Sequence, residues 1–136
     1  MGGGLAGSLL AATVSEAGGL GTIGILAADD LGDEIAAAWR LTRRPVAVNL
    51  LLPFPRREHF EAASHADVVV TFWGRPRRRT QRLWMHQCGS VEEALAARAA
   101  GADAVIAQGV EAGGHVRGRL PAGRPRAGGR VRTRFA

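Results

Sequence analysis

Ser90–Gln108 reads SVEEALAARAAGADAVIAQ, and a change of hydrophobic period inside it decides the fold class. Ser90 and Glu93 fit the capping box S-x-x-E, in which a hydroxyl and a carboxylate each satisfy an orphan backbone N–H at a helix start. The following ALAARAA consists of good helix formers, and Gly101 suits the position just past a helix end. From Asp103 the pattern becomes a short apolar run, DAVIAQ, which reads as a buried strand. Just upstream, Leu83–Cys88 (LWMHQC) reads as another. Strand, helix and strand in quick succession predict a parallel pair joined by a helical crossover.

The same alternation runs back to the start. Leu5–Ala17 predicts a helix stopped by Gly18-Gly19, and Leu20–Leu26 (LGTIGIL) a buried strand. Asp30 can cap a helix running to about Arg43, with Ile35, Ala38, Trp39 and Thr42 spaced along one buried face. Pro45–Leu52 (PVAVNLLL) predicts a strand, Arg56–Ala63 a helix, and Asp67–Trp73 (DVVVTFW) a further strand. The class is α/β with a parallel sheet. Gly74–Arg82 (GRPRRRTQR) is the exception: its nine residues are short for a crossover that usually takes ten to twelve or more. A tight, irregular connection is expected there.

At 136 residues with 46% hydrophobic content, the chain suits one domain with a packed core and excludes a disordered or collagen-like class. No run approaches the eighteen apolar residues of a membrane helix. The opening MGGGLAGSLL lacks a basic leader region and reads as structure. The single Cys88 allows no internal disulfide, and a reducing cytoplasm is the expected compartment. Residues 1–111 hold 11 Arg against 12 acids, whereas residues 112–136 hold seven Arg and no acid. The basic character therefore belongs to the tail. Residues 119–136, of which 11 are Arg, Gly or Pro, are expected to be disordered.

Gly19–Gly24 matches G-x-G-x-x-G, but a helix precedes it and a strand follows. The dinucleotide motif requires the reverse, so a helix stop leading into a strand is the reading here. Ala104–Gly118 (AVIAQGVEAGGHVRG) is the densest signal. Gly113-Gly114 after a parallel strand lets backbone amides approach a phosphate or flat ring. His115 falls where parallel-sheet enzymes place their chemistry. A glycine-rich turn with an exposed histidine is the competing reading. His86 could face a pocket or be packed; His59 and His65 read as solvated, and Cys88 as a buried small residue. Trp39, Trp73 and Trp84 read as core or pocket wall, and Arg75, Arg77, Arg78 and Arg79 as a solvated basic loop, with anion binding as the competing reading. No His or Cys pair has zinc spacing, so no metal is expected.

GADAVIAQGVEAGGHVRG closely resembles the signature of the nitronate monooxygenase family, formerly called 2-nitropropane dioxygenases, which are FMN-dependent TIM-barrel oxidoreductases. MGGG…LAATVSEAGGLGTIG, PVAVNLLLP and HQCGSVEEALAARAAGADAVIAQG extend the resemblance over Met1 to about Gly118. It implies a partial (β/α)8 barrel over residues 1–118, holding strands two to six, followed by the basic tail 119–136. It further implies that Asn49, Gln108, Gly113 and Gly114 contact FMN. His115 would be the catalytic base or hydrogen-bonding group beside a nitronate or nitroalkane that is oxidised with dioxygen. Its ordinary pKa, about 6.5, suits proton transfer near neutrality.

The first strand would precede Met1, and strands seven and eight would follow Gly118. A frameshifted or deleted 3′ end would account for the tail. Two open sheet edges and a missing phosphate site then predict weak FMN binding or none by this chain, with oligomers or aggregates through the edges. Two other functions stand beside this one. A related flavin-dependent enoyl-acyl-carrier-protein reductase would need a nicotinamide site. A non-catalytic fragment would bind nucleic acid through its arginine tail.

Overall fold

A computed structural model describes residues 5–113 of the chain. In chain order its elements are α1 (Ser8–Glu16), β1 (Gly21–Ile23), α2 (Ala28–Leu41), β2 (Val46–Leu51) and α3 (Arg57–Ala63). There follow β3 (Val68–Phe72), β4 (Leu83–Cys88), α4 (Val91–Ala99) and β5 (Ala104–Ala107). The strands form one sheet in the order β1-β2-β3-β4-β5, and every neighbouring pair is parallel. The tail 119–136, with Gly114 and His115, lies outside the described residues.

Packing shows how the sheet is wound. Ile23, Val46, Val48, Leu50 and Val69 bury one face against Ala11 of α1, Leu31, Ile35 and Ala38 of α2, and Ala63 of α3. Ala47, Val68 and Val70, with Met85 against them, form a separate cluster on the other face. The split follows the two-residue period of a strand. Sequential parallel order with these helices on one face is the winding of a (β/α)8 barrel arc; a doubly wound sheet carries helices on both faces. The α/β partial barrel expected from the sequence is therefore the observed fold, and its helix-free face corresponds to the barrel interior.

Several boundaries differ, for local reasons. α1 begins at Ser8, where the Glu34 carboxylate accepts the Ser8 N–H. β1 is only three residues long, because the Gly24 N–H leaves the ladder for the Ala6 carbonyl, at 2.8 Å. α2 begins two residues before Asp30. Ala27 is its N-cap, and Asp29 and Asp30 lie in the first turn, against the positive end of the helix dipole. Its buried stripe is Leu31, Ile35 and Ala38. Trp39 packs beside them and donates to the His65 carbonyl at 3.2 Å, and Thr42 is buried at the C-cap. The capping box of α4 is displaced by one residue. Ser90 Oγ accepts the Glu93 N–H at 3.2 Å, while Glu93 Oε2 accepts from Gly89, at 2.7 Å, in place of Ser90.

The glycine motif does lead from the end of α1 into β1, as read, and Gly21 within it has a packing role that the sequence did not show. A Cβ at Gly21 would sit 1.8 Å from the Ala11 carbonyl oxygen, so only glycine lets α1 lie this close to β1.

No helix forms between β3 and β4. The residues from Trp73 to Arg82 reach roughly 33 Å when extended, and returning along a five-residue strand takes roughly 17 Å. The crossover closes as coil with slack to spare. Arg82 Nε donates to the Ser64 carbonyl at 2.7 Å, and Arg78 ties the coil to the β5 side of the sheet.

Candidate active site

In parallel α/β sheets the chemistry gathers at the carboxyl ends of the strands. Strand alternation and register there place Asn49 on the interior face of β2, opposite Val70 of β3. Its Oδ1 is buried, and among the described residues it has no hydrogen-bond partner. Most buried side-chain polar atoms are satisfied, and this one points to a group the described chain does not supply.

Gln108 directly follows β5. Its backbone N–H donates to the Cys88 carbonyl at 2.9 Å, which holds the chain beside the end of β4. Alternation from Ala104 and Ile106 carries Gln108 to the interior face, the same face as Asn49. A Cβ added at Gly113 would meet no atom within 4 Å, so local packing does not demand glycine there. Thus Asn49 and Gln108 share one face at the carboxyl end, while Gly114 and His115 lie outside the described residues.

Gln87 was not singled out in the sequence. Register aligns it with Phe72 and Ile106, putting a half-buried amide on the interior face between β3 and β5. The signal was the alternation in LWMHQC. Trp84, His86 and Cys88 occupy one face of β4, and Met85 and Gln87 the other.

His86 is packed on the helix side. It is buried, with Nδ1 2.8 Å from Thr71 Oγ1, which also accepts from Trp84 Nε1 at 2.7 Å. Cys88 is buried on that same face, and burial, then the Glu93 carboxylate, pushes its thiol pKa up. Raising the pKa suppresses the nucleophilic thiolate. His59 is half-buried and caps α3, its Nδ1 accepting the Arg56 N–H at 3.2 Å. The solvated reading is thereby corrected for His59, while His65 is exposed. Among the described residues no three His, Cys, Asp or Glu side chains gather as a metal would require, and no helix is long and apolar enough to cross a membrane.

The rim above Asn49 is aromatic. Trp73 directly follows β3 with φ at 63°, and Gly74 comes next at 66°. For a bulky residue this is a true outlier, costing about 1–3 kcal/mol. The Trp73 ring centroid lies 5.5 Å from Phe72 and 6.4 Å from Phe54. The Leu52 N–H donates to the Phe72 carbonyl at 2.8 Å, which joins the two rim segments.

Residues 1–73 match the family model for nitronate monooxygenase. The probable nitronate monooxygenase of Staphylococcus saprophyticus is 32% identical, over 82% of this chain and 46% of its own length. Among solved structures, FabK from Thermotoga maritima is similar at a TM-score of 0.76 and 34% identity, covering 84% of this chain and 41% of that one. Nitroalkane oxidase from Streptomyces ansochromogenes is similar at 0.74 and 33%, covering 90% and 48%. The chain thus spans less than half the length of these relatives.

Proposed function

The chain belongs to the nitronate monooxygenase family, and we propose that its site serves the oxidation of alkyl nitronates and nitroalkanes by dioxygen through bound FMN. The orphaned, buried Asn49 Oδ1 carries this reading. An amide oxygen held out of water on the interior face fits a planar ring that brings its own N–H donor. Gln108 would contact the same ring, and the backbone amides of Gly113 and Gly114 would approach it closely. When bound, the flavin takes the electron pair from the nitro-bearing carbon and delivers it to dioxygen.

The protein's own groups position the substrate and move the proton. His115 would accept the α-proton of a neutral nitroalkane and would only orient a preformed nitronate. The interior cluster of Ala47, Val68, Val70 and Met85 keeps the floor of the site dry, which strengthens each hydrogen bond made there. We assign the flavin domain to residues 1–118 and treat 119–136 as an appended tail. A lone buried thiol suits a reducing cytoplasm. Val105 and Ile106 are 45% and 37% exposed at the β5 edge, which supports association through open edges. Likeness to FabK favours the enoyl reductase as second reading.

Purified protein supplied with excess FMN should show the absorbance bands of bound flavin and should consume dioxygen when given a nitronate. Consumption only with NAD(P)H and an enoyl thioester would favour the reductase, and a protein that neither binds flavin nor consumes dioxygen would end both readings.

A further inference from the structure

We infer that Phe54 and Trp73, backed by the buried Phe72, form an aromatic wall that receives the hydrocarbon part of the substrate, so that the site selects nitro compounds with longer alkyl or aryl groups. The inference rests on the function proposed above and names the substrate class for it.

The first observation is the backbone of Trp73. Alternation along β3 sends Phe72 to the interior face, and the next residue of a regular strand would turn to the helix layer. The left-handed step at Trp73, with φ at 63°, departs from that strand geometry, and the indole lies against Phe72 and Phe54 at 5.5 and 6.4 Å. Glycine or asparagine would take this conformation at less cost. The crossover itself does not need a large ring at its start, because it is fixed further along by Arg78 and Arg82.

The second observation is where the wall stands. Leu51 pairs with Phe72 two residues beyond the Asn49–Val70 pair, which places the aromatic layer about 7 Å further along the strands than Asn49. Phe54 is 62% exposed, an apolar surface at the open end of the sheet. The wall has a firm base. Leu52 is bonded to Phe72, and a Cβ at Gly74 would lie only 3.1 Å from Leu52 Cβ. An exposed aromatic surface beside the proposed flavin site suits the hydrocarbon part of a substrate.

The test compares primary nitronates from nitroethane to nitrohexane on flavin-loaded protein, in wild type, Trp73→Phe, Trp73→Ala and Phe54→Ala. Wild-type kcat/KM should rise with chain length, by up to about fourfold per methylene, the worth of a buried CH2. Trp73→Ala should lose tenfold or more on the hexyl nitronate and less than threefold on the ethyl one, while Trp73→Phe keeps most of the slope. Phe54→Ala, an exposed site safe for folding, should flatten the slope in part. A second readout needs no turnover: 1-nitrohexane should quench tryptophan fluorescence saturably and more tightly than nitroethane, and Trp73→Phe should remove that component. Equal losses at every length, or a preference for the nitronate of 3-nitropropanoate over that of 1-nitrobutane, would overturn the wall. Absence of nitronate turnover would defeat the proposed function alone, and the quenching series would then decide the wall.

Discussion

The guanidinium of Arg78 grips the carboxylate of Asp103, with Nη2 3.2 Å from Oδ2 and Nη1 3.3 Å from Oδ1. The same group donates to the carbonyls of Gly101, Thr80 and Arg82. Asp103 Oδ2 in turn accepts the backbone N–H of Trp84 at 2.7 Å. Asp67 does the same two crossovers earlier, its Oδ2 accepting the Val46 N–H at 2.9 Å. An aspartate placed just before β3 and β5 thus secures the start of the preceding strand. Where the crossover lacks a helix, Arg78 supplies the contacts a helix would have made.

Arg78→Ala should therefore destabilise the fold by about 1–2 kcal/mol, most of it from hydrogen bonds to carbonyls. The ion pair adds little, since both side chains are about a third exposed. Arg78→Lys should recover less than half, because an ammonium cannot reproduce the fork. Urea unfolding measures this, and an unchanged midpoint in Arg78→Ala would mean that the coil is held by other contacts.

Asp103 gives the fold a defined acid sensitivity. The Trp84 N–H, followed by Arg78, holds its carboxyl below the usual range. A carboxyl with a lowered folded pKa stabilises fully above its unfolded value, about 3.9, and that contribution disappears as pH falls through the folded value. Asp103→Asn should be less stable than wild type at pH 7, with the gap closing below about pH 4. A gap independent of pH between 7 and 3 would remove the ionised carboxylate from the account.

Most of this architecture was legible in the sequence, because strands buried on both faces and helices with one apolar stripe have different periods. The runs around Val48 and Val70 admit few other readings, whereas β5, also expected to be buried, is largely exposed at the sheet edge. Helix starts were harder. Asp30 looked like a cap, yet α2 starts at Ala28, and no side chain caps Ala27. The crossover from Trp73 to Arg82 was opaque because Arg78 bonds to groups more than twenty residues away, which no local pattern encodes. At the candidate site, Asn49 and Gln108 were named through a family resemblance. Gln87 was missed because a polar residue in a short apolar strand shows its face only when its neighbours' faces are known.

Gly21→Ala should be among the most damaging small substitutions. The added carbon would fall 1.8 Å from the Ala11 carbonyl oxygen and 2.7 Å from Ser15 Oγ. Both belong to α1, so the helix must move as a body away from β1. Overpacking of this kind costs about 1–3 kcal/mol or more. Ser15 Oγ also accepts the Gly21 N–H at 3.0 Å and donates to the Pro45 carbonyl at 2.7 Å, and displacement of α1 would break both bonds. Thermal unfolding of Gly21→Ala should shift down by several degrees, whereas Gly32→Ala, where an added Cβ meets nothing within 4 Å, should not shift down. Equal behaviour of the two variants would contradict the close packing of α1 on β1.

Asn49→Leu separates stability from function. The Asn49 Oδ1 is buried without a partner among the described residues, an arrangement that costs about 1–3 kcal/mol when nothing else satisfies the group. Leucine has a similar volume and no polar atom, and its neighbours on that face are the apolar Ala47, Leu51 and Val70. Asn49 is only half-buried, so the gain should lie at the low end, about 1 kcal/mol, seen as a higher urea midpoint. FMN binding, followed by flavin fluorescence, should weaken by roughly tenfold, the worth of one hydrogen bond lost from a dry site. Asn49→Asp keeps the shape but brings a charge into the interior, and it should lose both stability and binding. A leucine variant that is less stable than wild type and binds FMN equally well would show that Oδ1 already has a structural partner and is not held for the flavin.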